Sequence, residues 1–272
     1  MSGRRRPAAL RLGAALLGAA LLGPAAPVEA QAEPGAEPGR LADDSARAMP
    51  AGRAELGLWG PLRVGLMDEL QLDVQPLIFL AMPHARLRWQ LLDTPRWSAS
   101  LEPGLTYPTV LLGLLSREGT LGLLPHDAEP PQALMIQLGA ALSLSHGGGR
   151  VSTLRAGLEV APRGGSKRFP VLDFPFLYPR FAALHAPLVA QLEARSEGRI
   201  AGRFDYGASA TLFLLPSIGG GWAFEQGASA RWRISDRFAL SAGYRLTLAA
   251  YPVGIRLHVL PLLELHFVLV PG

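Results

Sequence analysis

The chain has 272 residues, 49% of them hydrophobic and only 18% charged, and no cysteine. That is enough for one large domain or two small ones, and it excludes a disulfide-stapled miniprotein, a thiolate metal centre and a cysteine nucleophile. Four arginines and one glutamate fall within residues 1–32, leaving 22 basic against 21 acidic side chains from residue 33 onward, a balance that excludes nucleic-acid binding on charge grounds. Lys167 is the only lysine and asparagine is absent, a GC-rich coding bias that strips arginine preference of functional meaning.

The first segment reads as an export signal. Arg4, Arg5 and Arg6 form a basic start, Ala14 to Leu22 an apolar stretch, and Ala30-Gln31-Ala32 a small-x-small cleavage site before Glu33. The expectation is a signal peptide over 1–32, followed by a disordered lead-in over 33–52, rich in Pro, Gly, Ala and acids, and a barrel over 53–272.

From residue 54 the hydrophobic period becomes two. Trp97, Ala99, Leu101, Pro103, Leu105 and Tyr107 alternate with Ser98, Ser100, Glu102, Gly104 and Thr106. The same pattern runs through 134–144, 200–214, 222–234, 238–248 and 255–269. A helix would scatter these polar residues around its whole surface, so the class is all-β. After the signal, no apolar span is long and unbroken enough for a transmembrane helix; Phe174 to Leu192 is interrupted by Pro175, Pro179, Arg180 and Pro187.

The polar face mixes Gly, Ser, Thr and Ala with sparse charges, and the opposite face is Leu-rich with aromatics near the segment ends. That pattern suits a transmembrane barrel, whose greasy face meets lipid, better than a soluble sandwich. Trp97 and Tyr107, like Trp222 and Trp232, lie ten residues apart on one face. Ten tilted strand residues rise about 23 Å, close to the roughly 25 Å apolar band of such barrels.

Turn residues divide the chain into about twelve strands, with ten or fourteen as alternatives: 54–66, 69–81, 85–92, 97–107, 109–116, 133–146, 150–161, 188–196, 199–215, 221–235, 237–251 and 254–269. With a periplasmic N-terminus, the long connections 117–132 and 162–187 both fall on the outer side, and the Gly147-Gly148-Gly149 and Ser235-Asp236 turns on the inner. In these features residues 54–269 resemble a bacterial outer-membrane β-barrel protein of up-and-down antiparallel topology. The resemblance implies an outer-membrane location in a Gram-negative type envelope, lipid as surroundings, and the barrel-assembly machinery as a partner that reads a terminal aromatic. Phe267, five residues from the end, is the nearest match to that aromatic.

Little in the sequence suggests an enzyme, and no cofactor or metal is expected. Barrel phospholipases use Ser, His and Asn, but this chain has no asparagine and no evident serine–histidine neighbourhood. His126-Asp127 reads as a solvated loop dipeptide beside Pro125, and His258 and His266, eight residues apart, as polar residues of the lumen. The Phe169 to Phe181 stretch reads first as a packed outer loop, with a plug folded into the mouth or a surface-binding lid as alternatives.

The lumen is the richest candidate, mildly cationic, with Arg195, Arg203, Arg231, Arg233, Arg245, Glu193, Asp205 and Glu225 expected to line it. Arg195, Arg203, Arg231 and Arg233 are expected to gather at one level with Glu193 and Asp205 near the periplasmic end. Three functions follow, in this order: a passive channel or small-solute transporter favouring small anionic solutes, a non-conducting barrel braced by ion pairs that acts structurally or through its outer loops 117–132 and 162–187, and last a membrane-embedded hydrolase.

Overall fold

The computed structural model describes residues 44–77, 79–117, 129–164, 179–186, 188–216, 221–251 and 254–269. In chain order the elements are β1 (Ala54–Gly57), β2 (Leu62–Met67), β3 (Leu70–Val74), β4 (His84–Asp93), β5 (Trp97–Thr106), helix α1 (Thr109–Leu115), β6 (Gln132–Ala133), β7 (Met135–Ser145), β8 (Val151–Val160), β9 (Arg163–Gly164), a 3-10 turn (Ala182–Leu184), β10 (Val189–Ala201), β11 (Phe204–Leu214), β12 (Trp222–Arg233), β13 (Phe238–Tyr251) and β14 (Gly254–Leu269). Twelve of the strands close into one antiparallel barrel, in the order β1-β14-β13-β12-β11-β10-β8-β7-β5-β4-β3-β2, while β6 and β9 pair apart from it. The fold is that of a transmembrane β-barrel.

The count of twelve survives two compensating differences from the sequence reading. The segment 54–66 is two strands, because Leu58-Trp59-Gly60-Pro61 turns the chain back so that Leu56 faces Leu62. The segment 109–116 is a helix, not a strand; its run of leucines carries no strand-specific period, and helical spacing lets Leu112 and Leu115 turn inward together. The expected signal segment 1–32 and most of the two long connections 117–132 and 162–187 lie outside the described residues.

Side chains sort by parity. Leu257, Val259 and Leu263 on β14, with Leu138 on β7 and Leu158 on β8, are among the outward leucines and valines that remain more than half exposed. Their neighbours in sequence point into the lumen. Phe204 stacks on Trp232 at 6.2 Å and Phe238 meets Phe267 at 5.3 Å, an aromatic band at the end that carries the short turns. At that end Gly147, Gly148 and Gly149 all adopt positive φ, a turn only glycines form without strain.

The register fixes the tilt. A row of paired residues leaving Leu269 on β14 runs through Ala54, Val64 and Leu72, later through Leu138, Leu158, Ala190 and Leu214, and comes back to β14 near Ile255. A stagger of that size over twelve strands corresponds to a strand tilt of ~40°. The wall is uneven, since β1, β2 and β3 have 4, 6 and 5 residues against 14 and 16 in β13 and β14.

Candidate functional site in the lumen

Inward positions of adjacent strands carry alternating charge. Glu55, Arg63, Asp73 and Arg86 stand opposite one another across β1, β2, β3 and β4. Opposite charges directly across a sheet stabilise it, and here they also satisfy each other inside a crowded lumen. Arg86 reaches Asp73 at 2.8 Å. Deeper in, Glu102 lies between Arg88 at 2.9 Å and Arg155 at 2.8 Å, and Arg155 also holds Glu193 at 3.1 Å. Arg88 is fully buried.

Residues 44–52, expected to have no fold, instead cross the lumen at the short-turn end. The physical reason is a ladder of side-chain acceptors from four strands and a turn. The amide N–H of Asp44 donates to Glu197 (2.9 Å), that of Ala46 to Ser143 Oγ (2.8 Å), that of Ala48 to Gln90 Oε1 (2.8 Å), that of Met49 to Gln71 Oε1 (2.9 Å) and that of Ala51 to Asp68 (3.1 Å). The Asp44 carboxylate pairs with Arg63 and, at 2.8 Å, with Arg195. Burial alone would raise its pKa, but Arg195, Arg63, Arg155 and Arg88 together hold it well below the ordinary aspartate value. Gly65 lets the segment pass: a Cβ there would meet the Pro50 carbonyl oxygen at 2.0 Å.

The opposite end is closed by a different material. Leu112 and Leu115 of α1, with Phe181 and Leu184, pack on the inward side chains of Met135, Val189, Phe213, Ala223 and Ala249. Beneath this apolar cap Arg180 donates twice to Glu225, at 3.0 and 2.8 Å. Between cap and segment lies a cavity of about 60 Å³ bounded by Arg86, Glu102, Gln137, Arg155, Glu159 and Gln191, among others. It is room for a few waters.

The residues singled out in the sequence do not form one cluster. Arg195 joins Asp44 and Glu197, Arg233 pairs with Asp205 at 3.1 Å, Glu193 belongs to Arg155, and Arg245 approaches Glu225 at 3.4 Å. Arg203 is a correction: it sits exposed on the turn after β10, donating to the Ile234 carbonyl at 2.8 Å, because β10 runs on to Ala201 and the chain turns at Gly202, past the expected break at 197–198. Arg231 stands opposite Asp205 on β11 and opposite Ser241 on β13. Of the Phe169 to Phe181 stretch, residues up to 178 lie outside the described residues, and Phe181 is part of the cap.

The tertiary structure also overturns the reading that no serine neighbours a histidine. Ser241 Oγ lies 2.9 Å from His266 Nε2, and His266 Nδ1 lies 3.5 Å from Glu55 Oε1. The three come from β13, β14 and β1, and each is less than a tenth exposed. No spacing in the sequence could bring Glu55 to the other two, since barrel closure joins the first strand to the last. The only local signal is that all three fall on lumen parity.

No family model and no curated protein matches the chain. Among solved structures it is similar to the NanC porin, with a TM-score of 0.44 and 8% identity over 79% of this chain and 96% of that one. It is also similar to a bacterial polysaccharide outer membrane secretin, at 0.46 and 10% over 79% and 69%, and to OccK11 (OpdR) of Pseudomonas aeruginosa, at 0.38 and 8% over 80% and 62%. At these identities the likeness is one of barrel fold.

Proposed function

We propose that this chain is an outer-membrane barrel serving as a small-solute channel that is closed at rest by its own residues 44–52. The observation that carries this reading is how the segment is held. The amides of Asp44, Ala46, Ala48, Met49 and Ala51 bond to side chains, and the segment is tied to strand backbone at its end, where Gly52 donates to the Gly65 carbonyl of β2. Residues 44–51 can therefore leave without breaking any ladder of the barrel. What it would uncover is a lumen lined by arginines and carboxylates together with Ser209, Ser229 and Ser241, polar enough for water and ions.

The test uses the cysteine-free background. Ala46→Cys with Ser143→Cys, oxidised, should lock the segment and give a silent barrel in a planar bilayer. Reduction should bring back opening events, and Gly65→Ala, which crowds the segment out at Pro50, should raise open probability. Arg231→Gln together with Arg233→Gln should then lower anion preference. Silence of both the reduced protein and the Gly65→Ala variant would overturn the channel reading.

A second reading, a non-conducting strut, is favoured by the lattice itself. Glu102 lies between two arginines, and Asp73, Glu193 and Glu225 each hold at least one. On that reading the paired Arg231 and Arg233 changes alter unfolding stability and leave conductance absent throughout.

A further inference from the structure

Ser241, His266 and Glu55 are arranged in series, and we propose that they form a hydrolytic site for short-chain carboxylic esters at the short-turn mouth of the lumen. This goes beyond the channel reading and does not rest on it.

The geometry supplies each role that acyl transfer needs. Ser241 Oγ is within hydrogen-bond distance of His266 Nε2 at 2.9 Å, which presents the hydroxyl proton to a base. With Nε2 accepting, the ring proton resides on Nδ1, which faces Glu55 Oε1 at 3.5 Å. That carboxylate fixes the tautomer and the ring orientation. Glu55 is held in turn by β1, whose register sets it opposite Arg63.

The fourth part is a cation for the oxyanion. Arg231 stands directly opposite Ser241 across β12 and β13, on the same lumen face. Its guanidinium attracts Glu55 at longer range and has no hydrogen bond or close ion pair among the described residues, so its N–H donors remain available to a developing negative charge. The inward positions around it are small, Gly207, Ser209, Gly227, Ser229 and Gly243, which limits the acyl chain and the alcohol to short ones. Glu264 lies 3.8 Å from His266 Nε2 on the lumen side, close enough to stabilise the imidazolium that forms.

The chemistry balances without a further reactant except water. Ser241 Oγ bonds to the ester carbonyl carbon as its proton passes to His266 Nε2, and the carbonyl oxygen takes negative charge facing Arg231. The carbon–oxygen bond to the alcohol then breaks, and the alcohol leaves with the proton from His266. A water molecule gives a proton to His266 and attacks the acyl carbon. The Ser241 ester bond breaks, Oγ regains its proton from His266, and carboxylic acid is released. Ester and water become acid and alcohol. In this scheme Ser241, His266 and Arg231 are catalytic residues, and Glu55 is a positioning residue.

The experiment uses the full chain folded in detergent micelles, with p-nitrophenyl butyrate as substrate and a fluorophosphonate as probe. The expected result is a burst of p-nitrophenol and a phosphonyl adduct that peptide mass spectrometry maps to Ser241 of the unmodified protein. Ser241→Ala should abolish adduct and burst, and His266→Gln should cut both rates at least about 100-fold. Arg231→Gln should lower kcat about 100-fold, the size expected for one oxyanion donor. Glu55→Gln should lower kcat with KM little changed, a split that mere loosening of the mouth would not produce. Failure of the folded, unmodified protein to form the Ser241 adduct overturns the proposal. So does an adduct that forms equally fast in His266→Gln, or butyrate hydrolysis that persists in Ser241→Ala. Because the adduct is read on the native chain, a variant that misfolds does not decide the matter. Conductance is not involved, so failure here leaves the channel reading standing.

Discussion

Asp44 shows how much one side chain can organise when its partners come from distant strands. It neutralises Arg63 and Arg195, and its backbone carbonyl accepts from Arg155 at 3.0 Å. Its folded pKa lies below the unfolded value of about 3.9, so the stability it contributes is fully present above pH ~4 and is lost as pH falls through the depressed folded value. Residues 44–51 should therefore stay seated at neutral pH and come free only in strong acid. Amide hydrogen exchange at Ala46, Ala48 and Met49 measures this directly. Asp44→Asn should speed that exchange at neutral pH, with a cost of about 1–3 kcal/mol. This is below the ~3–5 kcal/mol for breaking a fully buried pair, because the Asp44 side chain keeps 21% exposure.

At the scale of elements, the strands were legible because lipid and lumen impose opposite demands on alternate residues. Ser98, Ser100, Glu102 and Thr106 are buried inward on β5, while Leu105 on the same strand is half exposed outward. The demand depends on depth, which makes β14 a ruler. Leu263, near mid-strand and 62% exposed, should cost about 2–4 kcal/mol when changed to arginine, whereas Leu269 at the strand end should cost about 0–1 kcal/mol. Equal costs in chemical unfolding from micelles would mean that β14 does not face lipid at mid-depth. α1 was illegible for the opposite reason. Its Val110, Leu111, Leu112, Leu114 and Leu115 satisfy a helix and a buried strand equally well, and only the cavity left by the inward Phe213 and Met135 selects the helix.

For the molecule as a whole, an even number of strands leaves both barrel ends, Ala54 and Leu269, on the side of the short turns. The connections of 107–134 and 161–188 then share the opposite side. With the short turns periplasmic, cysteines introduced at Leu80 and Glu129 should react on intact cells with an impermeant thiol reagent, and cysteines at Gly148 and Asp236 should react only after the outer membrane is breached. The reverse pattern would invert the barrel. Labelling at all four sites would argue that the chain does not cross a membrane.

Sequence alone determined the architecture, because period-two alternation, aromatic spacing and the ends of polar turns are local consequences of lipid outside and water inside. Even the number of strands came through, although Leu58 to Pro61 added a turn and Thr109 to Leu115 removed a strand. Tertiary structure decided everything that depends on closure. That Asp44 meets Arg195, that Glu102 is shared by Arg88 and Arg155, and that Ser241 reaches His266 and Glu55 are contacts between residues as many as 211 positions apart, brought together by register and tilt. A period reports which face a side chain occupies. Only the closed sheet sets its height and its neighbours across the lumen, and those decide whether a charge is a brace, a gate or part of a reacting site.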